Sequence, residues 1–179
     1  MIDESPDHET PTIACAGKAV AIRVLTVCTG NICRSPSAEV ILRDKLAEAG
    51  LGGAFEVDSA GIAGYHIGDP PSEPAVRLAA GRGYDLTPLR ARRIAPQDFT
   101  DFHLILAMDS GHLRQLMRLQ PKGATARLSL FLDGLPHLGV DLADPYYGSD
   151  GDYAAMLDIV EAAVPAWVVR LQEDFLTRA

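Results

Sequence analysis

The stretch from Val24 to Gly50 joins a short apolar run to a helical repeat through a tight polar loop, and this junction constrains the fold most. Val24, Leu25, Val27 and Cys28 lack strict alternation, the pattern of a strand buried on both faces, and Thr29, Gly30 and Asn31 stop it. Pro36 suits the first turn of a helix, in which Ala38, Ile41, Leu42, Leu46 and Ala49 recur at helical spacing until Gly50. Strand, loop and helix make half of a βαβ unit.

The alternation continues along the chain. Phe55–Val57 reads as a second strand, followed by a Gly- and Pro-rich loop and a helix near Glu73–Gly81. His103–Met108 and Ala126–Leu132 read as two further strands. Between them Ser110 is expected to cap a helix that turns Leu113, Leu116, Met117 and Leu119 inward. A final helix over about Asp152–Leu176 is expected to be kinked or divided by Pro165. Strands alternating with helices predict an α/β domain of three layers: a small, mostly parallel, four-stranded sheet with helices on both faces. Ligands of such sheets sit at the carboxyl ends of the strands, at a topological switch point.

The chain has 179 residues, enough for one domain at roughly 150 residues each. Residues 1–20, with Asp3, Glu4, Asp7, Glu9, Pro6 and Pro11, read as a flexible N-terminal extension, which leaves 21–179 as the domain. The net charge of −8 works against general affinity for nucleic acid or anionic lipid, and no apolar stretch is long enough for a membrane helix. Three cysteines, Cys15, Cys28 and Cys33, do not make a disulfide framework. The acidic start lacks the features of a secretory signal, so a cytoplasmic location is the default expectation.

The loop Cys28-Thr29-Gly30-Asn31-Ile32-Cys33-Arg34-Ser35 separates a cysteine from an arginine by five residues. Such a curl turns backbone N–H groups inward as an anion nest, with Gly30 and Asn31 expected to tolerate positive φ. The helix start adds positive charge, Arg34 a two-pronged donor for phosphate oxygens, and Ser35 a hydrogen bond to the Cys28 sulfur. A thiol among so many donors loses its proton readily and becomes a nucleophile toward phosphorus. The reaction also needs an acid to protonate the leaving oxygen, a task suited to a carboxyl beside an apolar mouth. Asp144, in Asp144-Pro145-Tyr146-Tyr147, is the candidate, with the tyrosines as one wall of an entrance.

The segment Val27–Glu39 (VCTGNICRSPSAE) resembles the signature of the low-molecular-weight protein-tyrosine phosphatases. The resemblance extends through Val57–Gly61, Gly64–Pro71, Ala91–Ile94, Met108-Asp109 and Asp144–Gly148. It implies Cys28 as nucleophile, Arg34 as phosphate clamp, Ser35 as thiolate partner and Asp144 as general acid and then base, with the loop Thr29 to Cys33 around the phosphate. It further implies Asn31 as the residue holding the loop's shape with Ser59 in support, and Tyr65, Tyr146 and Tyr147 as the aromatic cleft. Cys33 matches a second family cysteine that can trap oxidised Cys28, or is a small residue buried behind the loop. Thr29 departs from the commoner aliphatic residue and Ile62 from a frequent Thr. Ile32 is similar to the tyrosine-directed members, whereas relatives acting on phosphoarginine tend to carry Thr there.

The resemblance therefore implies a phosphotyrosine protein as substrate and neither cofactor nor metal. It admits a cognate tyrosine kinase as partner and, separately, phosphorylation of Tyr146 or Tyr147. Arsenate reductases resemble this fold but relay oxidation through downstream cysteines, and none follows Cys33. A phosphotyrosine-binding module would be marked by a missing nucleophile or acid. Zinc at Cys28 and Cys33 lacks two further ligands, and the loop lacks the Gly-Lys-Ser/Thr of nucleotide sites. Arg90, Arg92 and Arg93 read as a solvated basic face or a steering patch for acidic peptides, His66 as a tuner of peptide choice, and Asp109 as a brace for Arg34 or a helix-start acid. His8, His103, His112 and His137 show no functional pattern.

Overall fold

In a computed structural model, which describes residues 21–177, strand β1 (Ile22–Cys28) runs through the middle of a four-stranded sheet of order β2-β1-β3-β4. The segment 1–20, with His8 and Cys15, lies outside the described residues. All pairings are parallel: β1 with β2 (Phe55–Gly61) and with β3 (Leu104–Ala107), and β3 with β4 (Arg127–Leu130). The chain leaves β1 for β2 on one side and later reaches β3 on the other. The carboxyl end of β1, where the cysteine loop begins, is thus the switch point.

Strand alternation sends Val24, Leu104 and Leu106 to one face and Leu25, Val27, Ile105 and Ala107 to the other. The first face is covered by α1 (Arg34–Glu48), α2 (Glu73–Ala80) and α5 (Asp150–Phe175), whose Trp167 is buried and donates its indole N–H to Phe131 O at 2.7 Å. The second is covered by the short α3 (Asp98–Asp101) and by α4 (Ser110–Leu119), through Phe99 and Leu116. This is the expected three-layer α/β architecture. No described helix is long and apolar enough to cross a membrane.

Several local expectations are corrected. β2 does not stop at Val57 but runs to Gly61, because each of its residues pairs with one of β1 and the polar Asp58 and Ser59 find side-chain partners. Helix α4 is capped by Asp109, which accepts the His112 N–H at 2.7 Å, while the Ser110 hydroxyl donates to Asp141. Its buried residues are His112 and Leu116, and Met117 and Leu119 are exposed. Pro165 does not divide the last helix. It sits on the exposed face, where water can serve the carbonyl one turn back, while Val164 and Trp167 pack inward. The short α3 and a 3-10 turn at Pro136–Leu138 carry no periodicity long enough to read from sequence.

Candidate active site

Between β1 and α1 the chain wraps around the Cys28 sulfur. Asn31 N–H donates to Sγ at 3.3 Å, and Ser35 Oγ lies 3.1 Å from it. Both Cys28 and Ser35 are buried. Asn31 adopts φ 60°, the only positive φ of a non-glycine residue among those described, and its side chain holds the curl: Nδ2 donates to Ser35 Oγ (2.9 Å) and Ser59 Oγ (2.8 Å), while Oδ1 accepts the Arg92 N–H (2.9 Å). Gly30, expected to share the positive φ, does not. The glycine that the loop depends on is Gly61, where a Cβ would lie 2.8 Å from Thr29 O and 3.0 Å from the Gly30 carbonyl carbon.

Arg34 is the first residue of α1 and is almost wholly buried. Its Nη1 donates to Asp109 Oδ2 at 2.9 Å and to Leu142 O at 3.1 Å, and its Nη2 donates to Asp144 Oδ2 at 2.7 Å and Thr29 Oγ1 at 3.4 Å. Asp109 thus takes both roles proposed for it, brace and helix cap. Burial works to raise its carboxyl, but the His112 imidazole and backbone N–H, together with Arg34, hold it well below the usual carboxylate range. Asp144 is half-exposed at the mouth of the aromatic cleft, and its charged partner is Arg34.

Cys28, Thr29, Gly30, Ile32, Cys33 and Arg34 form the floor of a cleft of about 270 Å³. Its walls are Tyr65, His66, Asp144, Tyr146 and Tyr147, so every aromatic residue expected at the cleft is there. Tyr146 and Tyr147 meet edge to face at 4.8 Å between ring centres, and His66 is tethered to Asp69 at 3.1 Å. The floor carries the Arg34 guanidinium beside the Cys28 sulfur, and the walls are aromatic: a phosphate on a flat ring fits such a cleft. Cys33 is a free, buried thiol beside Ser72 Oγ (3.2 Å) and Tyr153 OH (3.4 Å), and burial raises its pKa. Arg92 is not a free steering charge, since it pairs with Asp58 and Asp98. Among the described residues no cluster of three or more His, Cys, Asp or Glu is arranged to hold a metal ion.

Two residues here escape a reading of the sequence alone. His112 is buried with Nε2 2.8 Å from Thr29 Oγ1, and its Nδ1 lies 3.0 Å from Asp109 Oδ2, off the line of a hydrogen bond. The Asp109-x-x-His112 spacing on a helix start was the available signal. Glu39 is buried and accepts from Ser59 Oγ at 2.6 Å; its signal was an acid within an otherwise small and apolar helix face.

The chain is similar to known proteins in sequence and in fold. A family profile described as low molecular weight phosphotyrosine protein phosphatase matches residues 23–177. A low molecular weight protein-tyrosine-phosphatase of Streptomyces coelicolor is 40% identical over 161 residues, covering 88% of this chain and 98% of that one. A low molecular weight phosphotyrosine protein phosphatase 2 of Drosophila melanogaster is 45% identical over 125 residues, 69% of this chain and 76% of its own length. Among solved structures, YfkJ from Bacillus subtilis superposes with a TM-score of 0.81 at 35% identity, covering 89% of this chain and 99% of that one.

Proposed function

The chain belongs to the low molecular weight phosphotyrosine protein phosphatase family, a family of hydrolases, and on that premise we propose that Cys28, Arg34 and Asp144 carry out hydrolysis of phosphotyrosine in protein substrates. The observation that carries the assignment is the Cys28 sulfur at the floor of the aromatic cleft, with Asn31 N–H and Ser35 Oγ aimed at it and Arg34 and Asp144 lining the same space. The catalytic domain on this reading is residues 21–179.

Substrate phosphate enters the loop and competes with Asp144 for the Arg34 fork, whose planar geometry suits two phosphate oxygens. The displaced carboxyl then stands at the mouth of the cleft, where the leaving oxygen needs a general acid. Cys28 Sγ attacks phosphorus in line, the S–P bond forms and the P–O bond to the tyrosyl ring breaks. Asp144 gives its proton to the leaving oxygen. Water then attacks phosphorus, Asp144 takes its proton, the S–P bond breaks and inorganic phosphate leaves. Loop donors and Arg34 stabilise charge on the equatorial oxygens in both steps.

Ile32, buried at the floor, leaves an apolar surface under the ring and supports phosphotyrosine over phosphoarginine. The test is phosphate release from a phosphotyrosine peptide and a phosphoarginine substrate in parallel, by wild type and Cys28→Ser, with a chelator present. Phosphotyrosine turnover that is lost in Cys28→Ser supports the reading. Preference for phosphoarginine overturns the substrate class, and turnover that survives the substitution overturns the nucleophile.

A further inference from the structure

We propose that Glu39 is a positioning residue for the nucleophile: a buried carboxylate at the far end of a hydrogen-bond relay through Ser59, Asn31 and Ser35, it fixes the direction in which the Ser35 hydroxyl donates to Cys28. The inference rests on the reading of Cys28 as nucleophile and adds a residue remote from the cleft.

Counting protons gives the relay its direction. The Arg92 N–H requires an acceptor, so Asn31 presents Oδ1 to it and turns its amide hydrogens the other way, toward Ser35 and Ser59. Ser59 Oγ accepts one of them and must place its own hydrogen elsewhere. Glu39 Oε2, at 2.6 Å, takes it. Ser35 Oγ accepts the other amide hydrogen, which leaves its hydroxyl hydrogen for Cys28 Sγ at 3.1 Å or Ala60 O at 3.3 Å, and a thiolate is the stronger acceptor. Without an acceptor at Glu39, Ser59 is free to turn its hydroxyl toward Asn31. The amide then keeps only the Arg92 N–H to orient it on Ser35.

Glu39 is faced by Arg43 from its own helix, whose Nη1 lies 3.1 Å from Oε1, and by Asp58 of β2 and Arg92 from the segment between α2 and β3. Burial is the largest influence on its carboxyl and pushes it up to about 7, with Asp58 adding to the rise and Ser59, Arg43 and Arg92 opposing it. The relay therefore gains acceptor strength as pH rises through neutrality.

The test reads Cys28 directly, independent of turnover: alkylation by iodoacetamide as a function of pH, followed by peptide-resolved mass spectrometry so that Cys15 and Cys33 do not contribute. The wild-type titration is the reference. Glu39→Met and Ser59→Ala should each raise the midpoint, slowing alkylation on the acid side by about three- to tenfold. Glu39→Gln retains an acceptor oxygen and should restore most of the wild-type titration. Midpoints unchanged in both Glu39→Met and Ser59→Ala overturn the proposal. If Glu39→Met loses its fold by circular dichroism, Ser59→Ala decides alone. Failure of wild-type Cys28 to be alkylated at any pH would instead overturn the nucleophile assignment beneath it.

Discussion

Asp144 Oδ2 lies 2.7 Å from Arg34 Nη2, so the residues assigned as acid and as phosphate clamp hold one another. Phosphate binding and release of the acid are thereby a single exchange. Asp144→Asn removes the charge that competes with phosphate for Arg34. It should lower the inhibition constant of inorganic phosphate severalfold while reducing kcat on phosphotyrosine by about a hundredfold or more. An activated aryl phosphate, with its good leaving group, should be slowed much less. Equal slowing of both substrates, or weaker phosphate binding, contradicts the exchange.

Asp109 braces the other arm of Arg34, and its carboxyl is held below the usual range by His112 and Arg34 against the opposing effect of burial. A group so depressed contributes stability that is present above its ordinary value of 3.8 and is lost as pH falls through the native value. Urea midpoints of wild type should therefore fall below about pH 4, and Asp109→Asn should be less stable near neutrality with a flatter acid limb. Parallel curves for the two proteins would remove Asp109 from the acid transition.

Glu39 acts in the opposite sense. Its carboxyl is raised from 4.5 to about 7, so its contribution is most favourable below 4.5 and is lost as pH rises through about 7. The loss is on the order of 3 kcal/mol. Glu39→Gln should abolish this slope in denaturation measured between the two limits. The charged form is the stronger acceptor for Ser59 and is the one burial disfavours, which sets the strength of the relay against stability of the fold.

Gly61 ends β2 directly against the cysteine loop, where a side chain would meet the Thr29 and Gly30 backbone. Backbone cannot yield as a side chain can. Gly61→Ala should cost about 1–3 kcal/mol of stability and reduce kcat, and an unchanged melting temperature with full activity contradicts the close approach.

The parts of the site legible in the sequence are those within one unit of chain. Cys28, Arg34 and Ser35 fall in eight residues between a recognisable strand and helix, so their spacing implies their convergence. Asp144, Tyr146 and Tyr147 lie far along the chain and are candidates from the chemistry of their own loop, whereas Ser59 and Tyr65 are legible only through family resemblance. His112 and Glu39 were not assigned, because their partners are Thr29, 83 residues before His112, and Ser59, 20 residues after Glu39, across different elements. The face of α4 was misjudged for a related reason. Met117 and Leu119 are apolar yet exposed, while the buried position His112 is polar because it serves the loop.

The account depends above all on a phosphoryl group passing through Cys28 Sγ. Wild type mixed with a phosphotyrosine peptide, quenched within the first turnover and digested, should carry one phosphoryl group on the peptide containing Cys28, and none should appear in Cys28→Ser. Phosphate released with the label on another residue, or with no labelled enzyme at any quench time, would contradict it.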